Sequence, residues 1–209
     1  MIRNLAKFVI ILGVACLVIG GGVAALYGLY RGDIERRDLA IKEQAIQDVC
    51  PEGASVDPEH PIAGASLAAD AVYAARDSSG RTVVYIAQGE AQGYSSIVQV
   101  MVSASAEDFS VIRVVVLSQQ ETPGLGATVG ETRSTYTLWQ KLFGSGEAEQ
   151  WVNAFLDQFT GKQAQEFPQI HSITAATITS NATKRAAEQA LERIRDAAGK
   201  KGTGAGANE

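Results

Sequence analysis

Between residues 8 and 30 the chain runs for 23 positions without a charge: FVIILGVACLVIGGGVAALYGLY. At about 1.5 Å per residue, a helix of that length crosses a hydrocarbon layer of roughly 30 Å. A secretory signal has an apolar region of about 7–15 residues, so the run reads as an uncleaved, single-span anchor. Cys16 lies mid-run with Gly13 three positions before it, which is not the pattern of a lipidated signal. Arg3 and Lys7 precede the span and Arg31, Arg36 and Arg37 follow it, so the positive-inside count leaves its orientation open. Gly20, Ala24 and Gly28 recur every four residues. They suit either a groove for a neighbouring helix or the ordinary abundance of small residues in membrane helices.

An anchor takes up residues 1–30, which leaves room for a connecting segment over 31–80, one domain over 81–198 and a short tail. Residues 33–49 (DIERRDLAIKEQAIQDV) set Ile34, Leu39, Ile41, Ala45, Ile46 and Val49 against a charged face, the pattern of an amphipathic helix. It should end before Pro51, because the residue preceding proline avoids the α region. Residues 51–61 contain three prolines and a glycine and read as loop.

Three β-branched runs follow: 82–88 (TVVYIAQ), 97–103 (IVQVMVS) and 111–118 (VIRVVVLS). The short polar links between them favour antiparallel pairing. Beyond Gly130 the pattern becomes helical over 136–143, over 147–159 with an apolar stripe of Trp151, Val152, Phe155, Leu156 and Phe159, and over about 181–198. Ser180 or Asn181 would cap the last of these. Residues 199–209 (GKKGTGAGANE) read as a disordered tail. The expected fold class is therefore α+β: one transmembrane helix, then a small antiparallel sheet with flanking helices.

The net charge of −5 argues against a nucleic-acid partner. Two cysteines and two histidines make no familiar zinc site, and no metal ligands are assigned. The chain has no GxSxG, HExxH, CxxC or phosphate-loop lysine motif, and His60 and His171 have no evident activating partner; no catalytic residue is assigned. The GLG at 124–126 lacks the third glycine of a dinucleotide fingerprint.

Two segments remain. In residues 121–126 (ETPGLG), Pro123-Gly124 is suited to a type II turn, and the two glycines beside Leu125 allow either a plain strand exit or close approach to a flat ligand. In residues 171–186 (HSITAATITSNATKRA), Thr174, Thr177 and Thr179 lie just ahead of a helix start. Helix N-termini present unpaired N–H groups and attract phosphate, so the stretch is either a capping loop or a phosphate site.

Together these segments resemble the FMN-binding domain of the G subunit of the Rnf electron-transport complex, a relative of the C subunit of the sodium-translocating NADH:quinone reductase. The residues that carry the likeness are 92–102 (QGYSSIVQVMV), 119–129 (QQETPGLGATV), 151–162 (WVNAFLDQFTGK) and Thr174-Ala175-Ala176-Thr177, continuing Ile178-Thr179. The resemblance implies FMN bound covalently through a phosphoester to Thr177 by a separate flavin transferase. It further implies that Glu121, Thr122, Gly124, Leu125 and Gly126 lie beside the flavin, with Thr174, Ala175, Ala176, Ile178 and Thr179 around the attachment point.

The implied role is electron relay among other membrane subunits of a complex that couples ferredoxin–NAD electron transfer to ion movement. The implied place is the bacterial inner membrane, with the domain on the extracytoplasmic side. The family usually has aspartate where this chain has His171 and glycine where it has Ala175. A stand-alone membrane-anchored flavoprotein and a flavin-free assembly subunit are the alternatives.

Overall fold

A computed structural model describes residues 2–131, 133–134 and 151–204. The chain divides into two compact units, residues 1–41 and 42–209. Helix α1 (Ile2–Val49) is continuous where the sequence suggested two helices, because nothing between residues 30 and 33 breaks it: Gly32 alone is tolerated within a helix. It is long and apolar enough to cross a membrane. In the first unit its large aliphatic and aromatic side chains, from Phe8 to Tyr30, are exposed. Its end at Val49, before Pro51, is as expected.

The second unit is built on one antiparallel sheet in chain order: β1 (Val72–Arg76), β2 (Thr82–Gln92), β3 (Ile97–Ser105) and β4 (Val111–Ser118). The last three strands fall where the β-branched runs lie, with β2 carried four residues further than expected. On one face, Ala45, Ile46 and Val49 of the closing turns of α1 pack with Tyr73, Ile86 and Met101. Lys42 donates to the carbonyl of Leu67, and Arg113 donates to that of Asp48, a free acceptor at the helix end.

The other face is covered by helix α2 (Thr177–Gly204), which starts four residues earlier and ends six later than the sequence suggested. Its alanines 182, 186, 187 and 190 are fully buried against Val98, Val100 and Val102. Small side chains at those positions let the helix backbone lie close to the sheet.

The helix expected over 147–159 is not formed within the described residues. Trp151–Val152 is strand β6, paired with β5 (Arg133–Ser134), and Leu156–Phe159 is a single 3-10 turn. The buried Asn153 redirects the chain: its side-chain Oδ1 accepts from the N–H groups of Phe155 and Leu156, and its side-chain Nδ2 donates to the carbonyl of Val129. Phe155 and Phe159 still reach the core, edge-on to each other, with Phe167 against Phe159. The helix expected over 136–143 and the end of the tail, 205–209, lie outside the described residues.

Candidate functional site

Three segments distant in sequence meet at one end of the sheet: the β2–β3 turn, the ETPGLG loop after β4, and the start of α2. The carboxylate of Glu121 holds them together. It is only 6% exposed. Oε1 accepts from the backbone N–H of Ser95 (3.0 Å) and Ser96 (2.9 Å) and from the Ser96 hydroxyl (3.2 Å). Oε2 accepts from the N–H of Tyr94 (3.3 Å) and from the hydroxyl of Thr179 (2.7 Å). Burial pushes the Glu121 carboxyl up, but the hydrogen bonds from Thr179, Ser96 and Ser95 outweigh it and leave the group below its ordinary value.

The carboxylate fits only because glycines flank it. A Cβ on Gly126 would sit 2.6 Å from Thr179 Oγ1 and 2.8 Å from Glu121 Oε2, and one on Gly93 would sit 2.6 Å from Glu121 Oε1.

Two turns of type II character shape the walls. In residues 122–125 the N–H of Leu125 donates to Thr122, Pro123 is the first central residue, and Gly124 has φ +74°. In residues 173–176 the N–H of Ala176 donates to Ile173, and the second central residue, Ala175, has φ +64°. That position favours glycine. An L-residue there is strained by roughly 1–2 kcal/mol, so the alanine is tolerated but not relaxed.

Ala175→Gly should therefore stabilise the domain by about 0.5–1 kcal/mol, the relief of strain less the entropy that glycine adds to the unfolded chain. Urea unfolding of the two proteins measures it. A glycine variant no more stable than the parent would mean that the turn is not strained.

The loop carrying that turn is pinned from below. Ser180, fully buried, accepts from the N–H of Ile173 (3.0 Å). Gln158 brackets the backbone of His171, accepting from its N–H and donating to its carbonyl. Lys184 donates to the carbonyl of Ile170 and the hydroxyl of Ser172. Ser180 thus ties the loop to the helix rather than capping the helix as expected.

Between these walls lies a cleft of about 510 Å³, within the roughly 300–1,000 Å³ common for small-molecule sites. Of the residues singled out from the sequence, Glu121, Thr122, Leu125 and Gly126 line one side, and Ala175, Ala176, Thr177, Ile178 and Thr179 the other. Thr174 and Gly124 occupy the central positions of the two turns, outside the lining. Tyr94, in the β2–β3 turn, joins the lining although in the sequence it stands out only within the 92–102 run that carries the family likeness. Its signal is an aromatic residue in an otherwise small, polar turn.

The threonines differ in what their hydroxyls can do. Thr179 is buried and its hydroxyl is committed to Glu121. Thr177 is the first residue of α2 and is exposed at the cleft, beside N–H groups that have no partner within the helix. Tyr94 (71% exposed), Leu125 and Ile178 give the mouth an apolar surface suited to a flat ring.

A second cleft of about 500 Å³, at the far end of β2, is lined by Glu52, Asp77 and Glu107 with Arg81. Asp77 already pairs with Arg81, so an anionic ligand would meet net negative charge there. Among the described residues, no group of three or more acidic, His or Cys side chains could hold a metal ion.

Residues 93–192, the part of the chain that builds the cleft, match the model of the FMN-binding domain family. The chain is similar to the G subunit of the proton-translocating ferredoxin:NAD(+) oxidoreductase complex of Clostridium ljungdahlii, 27% identical over 131 residues and covering 58% of each chain. It is also similar to the G subunit of the ion-translocating oxidoreductase complex of Methanosarcina acetivorans, 22% identical over 132 residues, covering 61% of this chain and 69% of that one. The matched region thus spans little more than half of the clostridial relative. Among solved structures, NqrC of Shewanella oneidensis superposes with a TM-score of 0.46 at 20% identity, covering 74% of this chain and 71% of that one.

Proposed function

We propose that this chain, an FMN-binding domain joined to a helix able to cross a membrane, is an electron-transfer subunit whose FMN is bonded through its phosphate to Thr177. A separate flavin transferase would make the bond. The subunit would serve an ion-translocating oxidoreductase of the Rnf kind, relaying electrons between neighbouring subunits from the extracytoplasmic side of the membrane.

The observation that carries this reading is the contrast between the two cleft threonines. The Thr177 hydroxyl is free at a helix N-terminus, where a phosphoryl group is favoured by the helix dipole and by unpaired N–H groups. The Thr179 hydroxyl is buried and spent on Glu121. Ala175 supports the reading as well, since it takes the left-handed conformation that the family's glycine would supply.

FMN would bring the redox chemistry itself. The protein's residues would do the rest: α2 holds the phosphate end, Tyr94, Leu125 and Ile178 flank the apolar ring, and the Glu121 hub keeps the three segments in register. A covalent tether suits a carrier that faces a compartment from which free flavin would be lost.

Co-expression with a flavin transferase, denaturation, and ultraviolet illumination of the gel test the attachment. The wild-type band should fluoresce, Thr177→Ala should abolish the signal, and Thr179→Ala should retain it in whatever protein folds. A dark wild-type band would sink the covalent reading. Loss of signal in Thr174→Ala but not in Thr177→Ala would move the attachment point to the turn.

A further inference from the structure

Glu121 is a buried charge with unusual company. All five of its partners are donors, three of them backbone N–H groups, which have no lone pair to receive a carboxyl proton. A carboxyl proton would find no acceptor among the three N–H groups and only the Ser96 and Thr179 hydroxyls to turn and receive it, so the site favours the ionised form. Among the described residues no lysine, arginine or histidine pairs with it. The negative charge is dispersed by dipoles but not cancelled, and it lies in the lining of the cleft.

We infer that Glu121 sets the reduction potential of the flavin held in this cleft, lowering it through a fixed negative charge beside the ring. The inference rests on FMN occupying the cleft, as proposed above. Reduction brings two electrons from an external one- or two-electron carrier and, in the anionic reduced form, one proton from solvent. The ring then gains one net negative charge, and a nearby carboxylate opposes that gain. Coulomb's law gives the size: at an effective dielectric of about 20, unit charges about 10 Å apart interact strongly enough to shift an equilibrium more than tenfold. A low potential suits a carrier filled by a strong reductant.

The charge also explains why the fold keeps a buried carboxylate here at all. Two backbone turns and a helix could be joined by neutral hydrogen bonds, at smaller desolvation cost.

The test is a dithionite titration of flavin-loaded protein against reference dyes. Glu121→Gln, which keeps one acceptor oxygen and the side-chain shape, should shift the reduction equilibrium at least tenfold toward the reduced form, about 30 mV upward for a two-electron couple. Thr179→Val keeps the charge and removes one of its donors, so its potential should lie at or below that of the wild type.

An unchanged potential in loaded Glu121→Gln overturns the inference. So does an upward shift in Thr179→Val, which would mean that both variants act by loosening the seat; this arm stands even if Glu121→Gln fails to fold. A wild type that takes up no flavin overturns the functional reading and this inference together, whereas a loaded wild type with the wrong variant pattern overturns only this one.

Discussion

Glu121→Ala should destabilise the second unit by about 3 kcal/mol or more and open the cleft. The substitution removes the acceptor for five hydrogen bonds at once. Each donor left buried without a partner costs roughly 1–3 kcal/mol, and water entering at the exposed β2–β3 turn offsets part of that. The Thr179 hydroxyl, buried on α2 in the intact site, loses its one side-chain acceptor.

The effect should depend on pH in a defined direction. The folded carboxyl lies below its ordinary value, so its contribution is fully present above the unfolded carboxyl's value. It is lost as pH falls through the depressed folded value. Urea unfolding of wild type and Glu121→Ala should therefore differ most near neutrality and converge in acid. A difference that stayed constant across that range would mean that the ionised form is not what holds the hub.

How much of this is legible in the sequence depends on the range of the interaction. Strands β2 to β4 announce themselves by β-branched residues, and the turn at 122–125 by Pro123-Gly124. Strand β1, VYAAR, does not, because alanine has little preference for strands and the segment is defined by pairing with β2. The start of α2 lies earlier than the local pattern suggests for a similar reason. Thr177, Ile178 and Thr179 are poor helix formers, and the nearby Ser180 has the chemistry of a cap.

In the fold, Ser180 reaches seven residues back to Ile173, and Thr179 reaches 58 residues back to Glu121. Periodicity carries no trace of either bond. The stripe from Trp151 to Phe159 reads as a helix because its apolar spacing fits one, but Asn153 takes the N–H groups of Phe155 and Leu156 and turns the chain. Turn chemistry and family likeness point to the site residues. Their division of labour, with Glu121 as structural hub and Thr177 as the open hydroxyl, emerges only in the fold.

Gly89→Ala should be the most damaging small substitution in the domain, costing more than about 3 kcal/mol. By sequence this glycine reads as the start of a turn, but it lies within β2, paired with Val100. A glycine inside a strand often marks a close backbone approach. Here a Cβ would stand 1.8 Å from the carbonyl oxygen of Ala186, 2.8 Å from its carbon and 3.0 Å from the nitrogen of Ala190. These are backbone atoms of α2, so no rotamer can yield and the helix itself must move. Overpacking a core typically costs about 1–3 kcal/mol, and a clash with fixed backbone belongs at or beyond the upper end.

The helix is also bound to β2 on either side of the contact. Gln189 accepts from the N–H of Glu90 at 2.8 Å, and Arg193 donates to the carbonyl of Gln88 at 2.7 Å. Lifting α2 strains both bonds and shifts Thr177 and Thr179 relative to the ETPGLG loop, so the flavin attachment proposed at Thr177 should fall together with stability. Gly130→Ala is the control, because its Cβ would meet Val116 at an ordinary 3.5 Å. Adding Ala186→Gly to Gly89→Ala should not restore the fold, since the clash is with the carbonyl and not with the side chain. If that double variant unfolded in urea like the parent, the helix would be resting on its side chains, and the backbone contact would not be what fixes α2 over the sheet.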